Sequence, residues 1–371
     1  MAALDPTAVD ALLARARREV DDGLLPACQL ALALDGEVLV HETIGDATDG
    51  TRFPMYSATK PVVAAAVWQL LGEGAVSPDT PVADVIPEFG ENGKEHVTLD
   101  HILLHTAGFP QAPLGPPAWS SHEGRRHAFA SWRLRWPAGS KYEYHPTSAH
   151  WVLAELIHAL TGEDHTVAVR RRVLDPLGLD DLRLGDGDDD RAFAPLVLCG
   201  EPASPDELEA ALGVRSIDVG EVTDDALLAL NSPEARAVGV PGGGGRSTAA
   251  HLALLYQAFL HDPKGLWEPA VLHDVTSVVR NTYADPMLGH SANRTRGLIV
   301  AGDDGRSNLR GMGRTVSAGA FGHNGAAGQV AWADPATGLA FAYLTSGRDL
   351  NVLREHRRTT ALSSLAAVCA V

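Results

Sequence analysis

Lysine is nearly missing from this chain. Only Lys60, Lys94, Lys141 and Lys264 occur in 371 residues, and arginine serves as the cation almost everywhere else. Cysteine is as scarce. Cys28, Cys199 and Cys369 form an odd, scattered set without metal or redox spacing, which excludes a disulfide framework and predicts reduced, mostly buried thiols in a cytoplasmic protein. No run approaches the ~18 apolar residues of a membrane-spanning helix. Met1-Ala2-Ala3-Leu4-Asp5 has neither the basic nor the long apolar region of a signal peptide. Positive charge is in deficit overall, and the net charge of −17 argues against nucleic acid or an anionic membrane surface as a partner. What is present is 45% apolar and 21% charged residues, the balance of a folded globular chain with a sizeable core, in one large or two ordinary domains.

Against that scarcity one of the four lysines falls three residues after a serine, in Tyr56-Ser57-Ala58-Thr59-Lys60. With so few lysines, about 0.2 such matches are expected by chance in the whole chain. The apolar run Pro61–Trp68 that follows has the length and alanine content of a buried helix. Proline is tolerated only in the first turn of a helix, so Pro61 predicts a helix starting near Ser57. Positions i and i+3 share a helix face, which sets the Lys60 amine beside the Ser57 hydroxyl at a helix N-terminus. That is the pattern of a serine nucleophile with its activating base. A helix-capping serine and a solvated lysine would give the same letters.

The rest of the chain changes character twice. Asp5-Pro6 opens an amphipathic helix, and Gln29–Leu34 and Glu37–Glu42 flank Asp35-Gly36 as a hairpin. From Leu70 to about Leu160 there are helices and long loops, with Gly72-Glu73-Gly74 closing the first and a helix over 148–159 ending near Gly162. His101 and His105 have the i, i+4 spacing of zinc ligands but lack the following Glu and a third ligand, so capping and packing are the expected roles. Residues 109–136, rich in Pro and Trp, read as a pocket wall or surface cover. The acidic stretch 180–191 fails the calcium-loop pattern and reads as a solvated turn. Residues 201–234 look helical and peripheral. Gly242–Gly245 lacks the Gly-Lys-Ser/Thr of a phosphate loop and reads as a turn by which backbone approaches something closely. Four strands are predicted over 297–302, 319–324, 328–334 and 338–346, and a helix over 350–371.

The predicted fold is therefore α+β. A central antiparallel sheet comes from both chain ends, flanked by the terminal helices, with residues 1–60 and 240–371 forming this discontinuous domain and 61–239 a mainly helical one. Ser57 would lie at the seam, where pockets form.

Three further stretches accompany Ser57-Ala58-Thr59-Lys60: Thr98–Phe109, Trp136–Pro146 and Phe321-Gly322-His323-Asn324-Gly325-Ala326. In this order they resemble the serine β-lactamase and penicillin-binding-protein superfamily, whose S-x-x-K motif carries the nucleophile. The resemblance is to its class C β-lactamase-like branch, which includes family VIII carboxylesterases, and it implies a β-lactamase/transpeptidase-like fold. It also implies Ser57 as acyl-enzyme nucleophile, Lys60 as base or base-partner, and Tyr144 as the Y-x-N tyrosine, with Tyr142 the alternative. His323-Asn324-Gly325 would be the strand motif and, with Trp136, would contact substrate. Backbone amides of Ser57 and Ala326 are the expected oxyanion donors. Lys60 and Tyr144 are expected to titrate as a coupled pair, with a tyrosine phenolate accessible beside a lysine cation. Pro146 stands where the motif has Asn and cannot donate a side-chain hydrogen bond, which suits an ester better than a lactam. The expected function is thus a carboxylesterase acting on small or medium acyl esters, without metal or cofactor. An amidase, D-amino-acid peptidase or weak β-lactamase on the same site, or a non-catalytic scaffold, are the alternatives.

Overall fold

The computed structural model describes residues 3–185 and 192–371, so Asp186–Arg191 of the acidic stretch lie outside the described residues. Its strands are β1 (Ala27–Leu34), β2 (Glu37–Gly45), β3 (Phe53–Pro54), β4 (Val197–Cys199), β5 (Arg246–Ser247), β6 (Ile299–Val300), β7 (Phe321–Gly322), β8 (Val330–Asp334), β9 (Leu339–Thr345) and β10 (Gly347–Asp349). Six of them make one antiparallel sheet in the order β2-β1-β9-β8-β7-β6, in which the two ends of the chain meet where β1 pairs with β9. Asp35 and Gly36 both take positive φ, as a two-residue hairpin turn between twisted strands requires.

Side-chain alternation along β1 explains why both faces are covered. Cys28, Leu30, Leu32 and Leu34 point into one core with Leu12 and Ala16 of helix Pro6–Asp21 and Leu362 and Ala366 of helix Val352–Ala367. Ala27, Ala31 and Ala33 point into the other, larger core, against helix Ala249–His261. Small residues on that side let a helix lie close. Gln29 shares the small-residue face, where its amide donates to the carbonyls of Thr48 and Asp49 and its oxygen accepts from the Ala249 amide.

Between the two halves of the sheet the described chain is helices and loops, apart from the short strands β3, β4 and β5. Helix Lys60–Gly72 is buried from Lys60 to Leu70 without a polar face. Such a helix has to be surrounded, and it packs against helix Ser148–Thr161 on one side and Trp267 and helix Pro269–Ser277 on another. Its start differs from expectation. Tyr56–Thr59 is a 3₁₀ turn, and the α-helix proper begins at Lys60, with Pro61 in its first turn. The region expected to be simply helical over 201–234 is three short helices, Pro205–Leu212, Asp224–Ala229 and Pro233–Val238, joined by loops.

Candidate active site

The 3₁₀ turn tightens the relation on which the site depends. With three residues per turn, side chains at i and i+3 eclipse, and Lys60 Nζ lies 3.3 Å from Ser57 Oγ. Tyr56 enters the turn at φ +46°, a left-handed conformation that costs energy in a bulky residue. The surroundings hold it there. Its ring is buried with Leu196, Leu227 and Ala327, and its hydroxyl donates to the Leu227 carbonyl at 3.2 Å. The glycine run is the other clamp. β3 pairs with β5, the Gly245 carbonyl accepts from the Met55 amide, and the Gly245 amide donates to Thr59 Oγ1 at 2.9 Å. The close approach signalled by Gly242–Gly245 is thus made to the Ser57 turn itself.

Lys60 is caged. Its amine nitrogen donates to the carbonyl of Pro146 at 2.7 Å and to that of Gly242 at 2.6 Å. Both are acceptors only. A neutral amine has two N–H bonds and one lone pair; the two carbonyls take the hydrogens, and the lone pair is left for the Ser57 hydroxyl. Burial disfavours the charged form and lowers the Lys60 pKa well below the ordinary lysine value, the Arg294 guanidinium lowers it further, and Glu221 acts in the opposite sense. Pro146 therefore contributes through its backbone at the position where the motif carries an asparagine side chain.

Tyr144 stands over this pair, its ring centroid 5.0 Å from Lys60 Nζ and 5.0 Å from the Arg294 guanidinium carbon. Burial pushes its pKa up to about 12, against the opposing pull of Arg294 and of the nearby Ser57 hydroxyl, and among the described residues its own hydroxyl is buried without a hydrogen-bond partner. For the coupled pair this favours amine plus phenol over ammonium plus phenolate, because burial penalises the charged form of each. Tyr142 points elsewhere, its hydroxyl accepting from Arg294 Nε at 2.9 Å.

Histidines surround the tyrosine in neutral form. His323 Nδ1 donates to the Asn324 carbonyl at 2.8 Å, leaving Nε2 to accept from Arg294 Nη1 at 3.4 Å. His145 Nδ1 donates to the Glu143 carbonyl at 2.6 Å, and its Nε2 accepts from the Phe109 amide at 3.2 Å. His105 Nδ1 accepts from the His145 amide, and its ring lies 4.8 Å from that of Tyr144. Burial lowers the pKa of His105, His145, His150 and His323. His101, by contrast, is a cap: its Nδ1 accepts from the Thr98 amide at the start of helix Leu99–Leu103.

The last piece comes from the sheet. Beyond β7 the ladder continues, His323 N–H donating to Ala331 and Gly325 N–H to Gln329. A Cβ on Gly325 would lie 2.1 Å from the Met55 carbonyl oxygen. Only glycine lets this segment touch the Ser57 turn, and the contact brings Ala326 into the cluster that holds Tyr56.

The structure thus gathers Ser57, Lys60, Tyr144, His323, Gly325 and Ala326. Asn324 is exposed and turns the other way, its side chain against Gly311, because strand alternation puts it on the face opposite His323. Trp136, expected to line the site, is packed under its own neighbours, with Lys141 Nζ 4.4 Å and the Arg135 guanidinium 5.9 Å from its ring. Arg294 is the functional residue sequence reasoning missed. It lies in a loop pairing with Asn281, carries no motif, and is one arginine among many. Beside the site opens a cleft of about 580 Å³ lined by Gln111, Ala112, Pro113, Leu114, Thr147, Gly220, Glu221 and Ala226. Residues 111–114 of the stretch read as a pocket wall contribute to it, and so do Gly220, Glu221 and Ala226 of the region read as peripheral.

The chain matches the family described as Beta-lactamase over residues 12–366. It is 26% identical over 344 residues to the protein named Esterase/beta-lactamase LipL of Mycobacterium tuberculosis, across 84% of this chain and 75% of that one. It is 30% identical over 230 residues to Esterase EstB of Burkholderia gladioli, across 52% of this chain and 58% of that one. Among solved structures, a penicillin-binding protein homologue from Caulobacter crescentus superposes with a TM-score of 0.77 at 27% identity, covering 98% of both chains.

Proposed function

The chain belongs to the β-lactamase family of serine hydrolases, and on that premise we propose that it is a carboxylesterase in which Ser57 forms an acyl-enzyme. The observation that carries the reading is the Lys60 cage: two carbonyls hold its amine with the free lone pair toward Ser57 Oγ. A hydroxyl is a poor nucleophile until a neighbour takes its proton. As Ser57 Oγ attacks the ester carbonyl carbon, Lys60 accepts that proton and becomes an ammonium. The oxyanion is received by the amides of Ser57 and Ala326, each such donor being worth roughly 3 kcal/mol in the transition state. Collapse breaks the bond to the leaving oxygen. Tyr144 donates its phenolic proton to the departing alkoxide and is reprotonated by Lys60, so the amine is neutral again. Water then repeats the cycle on the acyl-enzyme, with alkoxide replaced by Ser57 Oγ.

Ester rather than amide selectivity follows from Pro146, which offers the cage a carbonyl and the substrate no side-chain donor. One relative is named an esterase and another an esterase/beta-lactamase, which supports ester hydrolysis without deciding against an amide. The free thiols of Cys28, Cys199 and Cys369 fit a reducing compartment, and among the described residues no helix is long and apolar enough to cross a membrane.

The test is hydrolysis of short-chain p-nitrophenyl esters by the wild type and Ser57→Ala, paired with stoichiometric labelling by a fluorophosphonate. Turnover and labelling should both vanish in the variant. Equal turnover in Ser57→Ala refutes the assignment, and absence of labelling in the wild type favours a non-catalytic scaffold. Matched amide and ester substrates decide between esterase and amidase.

A further inference from the structure

Glu221 has no role in the chemistry above, yet it stands in the wall of the cleft beside it. One neighbour, Thr147, directly follows Pro146, whose carbonyl cages Lys60; the Thr147 hydroxyl donates to Glu221 Oε2 at 3.3 Å. The next residue along the chain, Val222, packs in the same apolar cluster as Tyr56 and Ala326. Glu221 is therefore carried on a segment that touches both sides of the nucleophile turn. Its carboxylate forms no ion pair among the described residues, and no lysine or arginine lines the cleft. Opposite it, Ala112, Pro113, Leu114 and Ala226 supply apolar wall.

A half-buried carboxylate with a single hydroxyl partner has acceptor capacity to spare. Gln111 and Thr147, the other polar side chains of the lining, are neutral, so the ligand group that completes the carboxylate is a cation on a short hydrocarbon stem. We propose that Glu221 is a specificity-determining residue that selects esters bearing an amine or quaternary ammonium group. The proposal rests on the acyl-enzyme reading and names the substrate class of that site. The carboxylate also lies within electrostatic reach of Lys60, which gives it an alternative duty as a mere counter-charge when Lys60 takes up the Ser57 proton, and the test separates the two.

Two isosteric pairs probe the cation on either side of the scissile bond. They are p-nitrophenyl 6-aminohexanoate against p-nitrophenyl heptanoate, and butyrylcholine against 3,3-dimethylbutyl butanoate. The wild type should prefer the cationic member of at least one pair by roughly ten- to hundredfold in kcat/KM, the range of a charge-assisted hydrogen bond or ion contact. In Glu221→Gln, with its melting temperature checked, that ratio should fall to near unity, while Glu221→Asp should retain part of it. The ratio is the readout because any effect of the substitution on Lys60 acts on both members alike. No preference in the wild type, or a preference that survives Glu221→Gln, overturns the proposal. A wild type that hydrolyses none of the four esters refutes the acyl-enzyme reading and this one with it, and that outcome is distinct from hydrolysis without preference.

Discussion

The Lys60 cage can be strained by one methyl group. A Cβ added at Gly242 would sit 2.7 Å from the Pro146 carbonyl oxygen, 3.3 Å from Thr147 Cα and 3.5 Å from Lys60 Nζ. Since carbon–oxygen contacts normally stop near 3.3 Å, the Gly242→Ala variant must separate the two carbonyl-bearing segments by about 0.6 Å. The bonds from Lys60 to Pro146 and Gly242 are 2.7 and 2.6 Å, so a shift of that size takes at least one of them to the edge of hydrogen-bonding distance. The cost in stability is that of modest overpacking, about 1–3 kcal/mol. The cost in catalysis is larger, because the amine is no longer held in line with Ser57; misplacement on this scale lowers kcat roughly ten- to hundredfold. KM should move little, since the cage touches the base and not the bound ester. Gly243→Ala is the control. Its Cβ would meet nothing closer than 3.6 Å, an ordinary contact. Steady-state kinetics on one p-nitrophenyl ester, with circular dichroism to confirm folding, compares the three proteins. A folded Gly242→Ala with unchanged kcat, or an equal loss in Gly243→Ala, refutes the cage as the element that orients the base.

Two further outcomes follow from the same geometry. Tyr144→Phe should lower kcat roughly 10²- to 10³-fold with little change in KM, as loss of a positioned proton donor does, whereas Tyr142→Phe should cost less than tenfold; the reverse order in steady-state kinetics would exchange their roles. Acid should unfold the protein through its buried histidines. His145 titrates at about 4 in the folded chain because burial disfavours its charged form, against 6.5 when unfolded, so the unfolded state takes up the proton first. Stability is then full above pH 6.5 and falls as pH drops from 6.5 toward 4, by about 3 kcal/mol for this group alone. Urea midpoints measured at pH 7.5 and 4.5 should show that drop, and it should shrink in His145→Gln.

How far the sequence discloses this site depends on whether the chemistry lies in side chains or in backbone. Ser57, Lys60 and His323 are legible because fixed spacing around proline and glycine sets where each side chain goes. The sheet is legible because β1 alternates alanine with larger residues and Asp35-Gly36 dictates the hairpin. What holds Lys60 is not legible: both acceptors are main-chain carbonyls, which every residue possesses, and Pro146 reads in the sequence only as a lost asparagine. Arg294 and Glu221 are hidden for a different reason. Each reaches the site from a loop, and loop conformation follows from tertiary contacts rather than from local periodicity. Trp136 shows the converse error, since an aromatic near a motif was expected in the pocket, while the cations of Arg135 and Lys141 offered its ring a nearer partner.

That division has a physical consequence for how the site works. The nucleophile turn is gripped by Gly242 and Gly245 of the glycine run, by Gly325 beyond β7 and by a tyrosine in a left-handed conformation, and a Cβ at any of the three glycines would meet a neighbouring atom at 2.7 Å or less. The cleft beside that turn, by contrast, is walled by Thr147 and by residues of the 111–114 and 220–226 segments. Residues there that do not pack on the nucleophile turn as Val222 does can change without disturbing the distance from Lys60 to Ser57. A rigid turn for the chemistry beside variable loops for recognition is the arrangement in which substrate preference shifts while the acyl-enzyme mechanism stays fixed. For that reason substitutions in the cleft wall are expected to change substrate preference before they change the acyl-enzyme chemistry.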